Sequence, residues 1–300
     1  MNDNVSAKEN YRIGIDVGGT KISGILLNPM GEILARTRFD LPSRDYPGML
    51  KVLIDLVHGL EKEAGQPADR IGLAVPGPID PGYTLHRLVN LPWLAGTDLV
   101  EDLRNALGYP IKVANDADCF AYSEATDGAG AGADSVAGVI IGTGVGAGFV
   151  FNGRLHAGRH GLAGEWGHNP MPWPTADELP PPRCGCGRWG CIEAYLSGPA
   201  LARASGMAPR DLAAAAKKGE ELAGRALNAY ADSLARALAS LINIIDPEVI
   251  VLGGGLSNID ALYELVPSRI GEYTLHSELT TTICRPVHGD DSGVRGAAWL

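Results

Sequence analysis

The sequence predicts an α/β protein of two related lobes, and three observations carry that expectation. First, 300 residues exceed what one small core organises, so two domains are the natural division. Second, the chain repeats itself: RIGIDVGGTKISGILLNPMGEIL from Arg12 and AGVIIGTGVGAGFVFNGRLHAG from Ala137 follow one plan. Each has a short apolar β-rich run, a Gly/Thr-rich turn, a second apolar run and a tight turn, NPMG or FNG. Third, strand-like runs alternate with helical ones, which layers helices on both faces of a sheet.

The other elements fit around the two hairpins. RIGLAVPG (70–77) and IKVAND (111–116) are apolar runs ending at turn residues. After Asp116, ADCFAYSEATDGAG has helical periodicity and a glycine-rich stop. Pro170–Arg183 (PMPWPTADELPPPR) is too rich in proline for a regular element and reads as a loop. Glu221–Ile245 reads as a long amphipathic helix that stops before Pro247. EVIVLGGGLSN follows as a buried strand ending in three glycines that lead into a helix, and SGVRGAAWL closes the chain as a short helix.

Bulk properties exclude several classes. Hydrophobic residues at 45% and charged residues at 20% suit a soluble globular protein. A net charge of −10 with no basic stripe argues against a nucleic-acid surface. The opening MNDNVSAKEN is polar, lacks an apolar core and reads as a disordered lead-in, so no signal peptide is expected. The longest weakly polar stretch, Val136 to Phe151, is glycine-rich and shorter than the roughly 20 residues a membrane helix needs. A cytoplasmic protein that binds neither membrane nor nucleic acid is the expectation. Of the five cysteines, Cys119 and Cys284 stand alone and read as small buried apolar residues.

Four groups of residues carry chemistry. Asp16-Val-Gly18-Gly19-Thr20-Lys21 joins two strands, and its small residues let backbone amides point into one concavity suited to phosphate oxygens, with Asp16 orienting a hydrated Mg²⁺. Gly142-Thr143-Gly144-Val145-Gly146-Ala147-Gly148 would close on the same phosphates from the other half, while Gly253-Gly254-Gly255 suits close approach of adenine or ribose. There is no GxxxxGK[ST], so a P-loop is excluded. The loose dinucleotide pattern in the second turn runs into a strand, GFVF, where a helix is required. Asn115-Asp116 ends the strand IKVA, at the sheet edge where α/β folds bind ligands. A general base in phosphoryl transfer must above all be placed beside the hydroxyl, so Asp116 is the candidate, with an Asx turn or helix cap as the competing reading. Glu165, His168 and Glu193 can present acceptors and donors to sugar hydroxyls. Cys184, Cys186 and Cys191 with His168 offer the three thiolates and one imidazole of a closed, structural zinc site, which would pin the proline-rich loop. His168 would bind metal through one nitrogen and a substrate hydroxyl through the other.

These motifs resemble those of the ROK family (repressors, uncharacterised frames and sugar kinases) from about Tyr11 to Leu300. The resemblance rests on IDVGGTK, VPGP, ANDAD, IIGTGVGAG, AGEWGH, CGCGRWGCIEAYLSG, DPEVIVLGGGLSN and HGD..GVRGAAWL. It implies a two-lobed actin-like (ribonuclease H-like) ATPase fold with a cleft between the lobes, transfer of the ATP γ-phosphate to a hexose 6-hydroxyl, Mg²⁺, and a homodimer. Residues 1–118 would form the first lobe, completed by a helix near 290–300, and 119–289 the second. On matching positions Asp116 is similar to the family's base. Asn90, Asn115, Glu165, His168 and Glu193 match sugar contacts, and His168, Cys184, Cys186 and Cys191 match its zinc site. Asp16 to Lys21 and Gly144 to Gly148 match its phosphate turns.

The gap from His168 to Cys184 is longer than in many ROK glucokinases and resembles the insertion of the fructokinase and N-acetylglucosamine kinase branches. Family repressors carry a helix-turn-helix before the first glycine motif, whereas ten residues precede Tyr11 here. AGEWGHNPMPW and HGDDSGVRGAAWL look most like fructokinases, and RCGCGRWGCIEAYLSG looks closer to N-acetylglucosamine kinases. Fructose is therefore the expected substrate, N-acetylglucosamine the alternative, and a non-catalytic sugar sensor the reading from another class.

Overall fold

The computed structural model describes residues 10–41, 45–79, 82 and 91–300. Strands β1 (Arg12–Val17), β2 (Lys21–Leu27) and β3 (Ile33–Asp40) form an antiparallel meander, and β4 (Arg70–Val75) and β5 (Ile111–Asn115) add in parallel, giving the order β3-β2-β1-β4-β5. Helix α1 (Tyr46–Ala64) starts at Asp45, whose carboxylate accepts from Gly48 N at 2.8 Å, and ends at Gly65 in the left-handed region. Its Met49, Leu53, Leu56, Val57 and Leu60 recur at helical spacing and are buried on the sheet. The missing side chain of Gly24 makes room for Leu56 and Leu60. Helix α2 (Leu99–Leu107) packs between α1 and β5.

The second half repeats the plan. Strands β6 (Ser135–Ile141), β7 (Val145–Phe151), β8 (Arg154–Leu155), β9 (Val249–Gly253) and β10 (Thr282–Cys284) are ordered β10-β9-β6-β7-β8, strand for strand the same topology. The internal repeat seen in the sequence is thus a duplication of a five-stranded sheet. Helices α3 (Asp116–Asp127), α4 (Glu193–Leu196), α5 (Gly198–Ser205), α6 (Pro209–Lys217), α7 (Glu221–Ile245), α8 (Leu262–Leu265), α9 (Pro267–Ile270) and α10 (Ser292–Trp299) complete the fold. The long helix has the bounds its periodicity predicts. It stops because Asp246 turns left-handed (φ 43°) ahead of Pro247.

Glycines decide how two of these helices dock. Side chains at Gly138 and Gly148 would collide with α3, so α3 lies against sheet two. Side chains at Gly14 and Gly72 would collide with the backbone of α10, so α10 lies against sheet one. The two helices then cross, and Gly296 meets the Cys119 carbonyl so closely that a Cβ there would overlap it. Each half thus sends a helix toward the other. Cys119 is buried as expected; Cys284 is only partly so.

Four expectations change in detail. The second glycine turn spans only Gly142–Gly144, because Val145 to Gly148 already belong to β7, and Gly148 is small to admit α3. Gly253 likewise ends β9 against the Phe120 ring. The glycine triplet leads into a single 3₁₀ turn, Gly255–Asn258, where a longer helix was expected. The proline-rich loop contains one such turn, Ala176–Glu178, whose Glu178 is gripped by Arg236 of α7 at 2.6 Å while the same guanidinium donates to the Pro172 and Trp173 carbonyls. Among the described residues no helix is long and apolar enough to cross a membrane.

Candidate active site

Helix α3 begins where β5 ends. Asn115 caps it: its Oδ1 accepts from Ala117 N at 2.8 Å and its amide donates to the Gly77 carbonyl at 3.2 Å. That fixes the helix start and turns the next side chain, Asp116, outward. Asp116 remains exposed, and Ala117 N donates to it at 2.9 Å. Protein nevertheless surrounds this recess closely. Burial pushes the Asp116 carboxyl above the usual range, the Ala117 amide works against that, and the charge of Glu165 adds to it. An accessible acid at the floor of a recess can meet a substrate hydroxyl. The cap reading thus holds for Asn115, whose Oδ1 takes the first helical amide, while Asp116 keeps its carboxylate exposed beside it.

Two further acids crowd the same place. Asp16, at the end of β1, is pushed up to about 6 by burial and then by Asp116, with Arg38 acting in the opposite direction. Asp118, in the first turn of α3, is pushed up to about 7 by burial and then by Asp116 and Glu165. It is 5% exposed, and its Oδ1 has no hydrogen-bond partner. The sequence reading passed over Asp118. Its one signal was a second acid in NDAD, which looked like an ordinary member of the helix's first turn. Carboxylates gathered with so little positive charge suit a divalent cation.

Glu165 and His168 share the 3₁₀ turn Glu165–His168, which Gly164 and Gly167 let lie directly on β7. His168 Nε2 lies 3.8 Å from Glu165 Oε2, and its Nδ1 lies 3.6 Å from Cys184 Sγ. One nitrogen thus faces the thiols and the other faces the carboxylate. The donor atoms of His168, Cys184, Cys186 and Cys191 all lie within 4.8 Å of one another, with Cys186 and Cys191 sulfurs 3.7 Å apart. A tetrahedral ion with zinc's bond lengths needs sulfur–sulfur edges of about 3.8 Å and sulfur–nitrogen edges of about 3.5 Å. The residues present fit such an ion. Glu193, the first residue of α4, spans this cluster and the glycine turn: its Oε2 accepts from Val145 N at 3.1 Å, and its Oε1 is 3.4 Å from Cys184 Sγ.

The glycine turns converge in part. Gly18 N donates to Lys21 O at 2.9 Å, closing the first turn with Thr20 and Lys21 exposed. Gly142 N donates to Gly144 O at 2.9 Å, closing the second. Gly254 turns left-handed (φ 80°), where a side chain would strike the Ile141 carbonyl, and a Cβ on Gly142 would lie 4.0 Å from Gly254 Cα. The second and third turns therefore abut, while the first brings Asp16 toward Asp116. Beyond the third turn lies a cavity of about 490 Å³, lined by Lys217, Leu227, Asn228, Asn258, Asp260 and neighbours. Its size suits a base and ribose. The sequence reading missed it because its walls come from α6, α7 and α8 together. Asn90 lies outside the described residues.

Fold and site together define a sugar kinase of the two-lobed actin-like class. The ROK family model matches residues 12–300, and the chain belongs to the ROK family. It is 36% identical to the N-acetyl-D-glucosamine kinase of Pasteurella multocida (strain Pm70) over 96% of this chain and 98% of that one. It is 38% identical to the N-acetyl-D-glucosamine kinase of Vibrio cholerae (serotype O1, El Tor Inaba N16961), with the same coverage. Among solved structures it resembles the ROK hexokinase from Thermus thermophilus, with a TM-score of 0.85, 32% identity and 96% of each chain covered. It also resembles a Streptomyces griseus ROK glucokinase solved with glucose and AMPPNP, with a TM-score of 0.77, 27% identity and 97% and 99% coverage.

Proposed function

We propose that this kinase transfers the γ-phosphate of ATP to the 6-hydroxyl of N-acetylglucosamine. Fructose, the expectation from AGEWGHNPMPW and HGDDSGVRGAAWL, gives way because the curated relatives quoted above are N-acetylglucosamine kinases at 36% and 38% identity. The observation that carries the reaction is Asp116, exposed at the start of α3, with Glu165 acting on its charge and Asp116 in turn acting on that of Asp16. Asp116 accepts the hydroxyl proton, Glu165 and the Nε2 of His168 hold sugar hydroxyls, and Asn115 holds the base in place as a cap. Asn90 is assigned to the sugar on the resemblance alone.

The amides of the Gly18–Lys21 and Gly142–Gly144 turns face the phosphates, the cavity beyond Gly254 takes adenine and ribose, and closure over the sugar excludes water from the transfer. Asp16 would hold the Mg²⁺, which neutralises charge developing on the transferred group. His168, Cys184, Cys186 and Cys191 would hold zinc, leaving no open position and so a structural role. We place the lobe boundary near residue 118, with α10 completing the first lobe, and carry the homodimer forward from the resemblance.

A coupled ADP-release assay over N-acetylglucosamine, fructose, glucose and mannose tests the substrate. The highest kcat/KM is expected with N-acetylglucosamine. A higher value with fructose would restore the earlier reading, and no sugar-dependent ADP release would favour a sensor.

A further inference from the structure

We infer that Asp127 and Arg295 form a clasp that fixes the angle of the two crossing helices, and through it how the two halves meet over the site of Asp116. The inference rests on the reading of Asp116 as the base. Helix α3 carries Asp116 at its first residue and Asp127 at its last. Between them, at Cys119, it meets Gly296 of α10 backbone to backbone. Gly296 brings no side chain to that contact, so the helices approach there as at a pivot, and between it and Asp127 the buried Glu124 of α3 accepts from Ser292 Oγ of α10 at 2.7 Å. The base lies three residues from this pivot, about 5 Å along the axis, and Asp127 lies eight residues beyond it, about 12 Å away. The longer arm has the greater leverage on the angle.

That arm is tied down by charge. Arg295 of α10 is 8% exposed and presents its guanidinium edge-on to Asp127, with Nε 3.0 Å from each carboxylate oxygen and Nη2 bonded to Oδ2. The same Nη2 donates to the Gly31 carbonyl at 2.7 Å, in the turn between β2 and β3 of sheet one. Gly31 has φ +83°, and a side chain there would press on Arg295, Trp299 and Asp127. One guanidinium thus joins α3, which lies on sheet two, to a turn of sheet one. His288 and the Trp299 indole also donate toward Asp127, at 3.0 and 3.2 Å. None of these groups lies among the candidate sugar, nucleotide or metal residues. What the clasp holds is the angle at which the halves meet over the cleft, so it acts on sugar capture and on exclusion of water, with no part in the proton transfer.

The test measures KM for N-acetylglucosamine, kcat, and ATP hydrolysis without sugar, on Arg295→Met, Arg295→Lys and Asp127→Asn in the full-length protein. In Arg295→Met, KM should rise about five- to tenfold while kcat at saturating sugar stays within about twofold. The ratio of sugar-free ATP hydrolysis to sugar phosphorylation should rise, because a loosened angle admits water. Arg295→Lys, which keeps the charge but loses the fork, should fall between, and the double change Arg295→Met with Asp127→Asn should be no worse than either alone.

Unchanged KM and unchanged sugar-free hydrolysis in Asp127→Asn and Arg295→Met would overturn the inference. So would a parallel loss of kcat with no change in KM. Should Arg295→Met not fold, Asp127→Asn, which keeps the shape but replaces one accepting oxygen with a donating amide and removes the charge, decides in its place. Failure of Asp116 as the base would show separately, as turnover retained by Asp116→Asn, and failure of the substrate reading as no activity of the unmodified chain on N-acetylglucosamine.

Discussion

The turns after β1 and after β6 occupy the same place in two copies of one sheet, yet they are built from different chemistry. The first carries Asp16 and Lys21 beside its glycines; the second, Gly142–Thr143–Gly144, has no charged group and borrows Glu193 from α4 to hold its Val145 amide. In the first half the recess gathers the acids Asp16, Asp116 and Asp118, each pushed above the usual carboxylate range. In the second half the inserted loop of proline and cysteine supplies the positioning parts. The difference teaches that the duplication repeats the glycine turn on each side, while the gathered acids stand beside one turn and the thiol cluster with its Glu193 brace beside the other.

The sharpest way to break that division is at the base. Asp116→Asn should fold normally and lose about a thousandfold in kcat, whereas near-normal turnover would show that the acid side does not carry the proton. Bracing should respond differently. Cys186→Ser should lose bound zinc, measured by elemental analysis, and raise the sugar KM by about tenfold or more with a smaller effect on kcat. A full complement of zinc in that variant would dissolve the assigned ligand set.

The smallest effect concerns stability. Asp118 has an ordinary value of about 4 when unfolded, and burial raises it to about 7 in the folded chain. Between those values the folded state holds a proton that the unfolded state has released, so Asp118 makes stability fall as pH rises from about 4 to about 7 and level off above. Asp118→Asn removes this contribution. In urea denaturation without nucleotide the variant should match the parent near pH 4 and exceed it by about 2 kcal/mol at pH 8. Equal stability at both pH values would mean that Asp118 is not held in a costly ionised form.

Much of this arrangement is legible in the order of residues. Hairpin periodicity, the repeat from Arg12 and Ala137 and the span of α7 all follow from local pattern, and so does the clustering of His168 with three cysteines. Glycines were read less well. Gly148 and Gly253 looked like phosphate turns, but they are small because α3 and Phe120 press on them, a contact between segments far apart in the chain. Asn115 was read as a ligand residue and also caps α3, a role that only the helix geometry shows. The clasp was invisible for the same reason: Asp127 and Arg295 stand 168 residues apart.

The exchange of helices also sets an order of assembly. Sheet one is made by residue 115, but the groove at Gly14 and Gly72 is filled by residues 292–299. During synthesis, which runs at about 5–20 residues per second, that sheet must wait for most of the chain before its second face is covered. Sheet two receives α3, which is made just before its first strand, and its last strand, β10, is made at residues 282–284, still ahead of α10. The half translated first is therefore the half finished last, and the nascent first sheet is where a chaperone would find an uncovered apolar face.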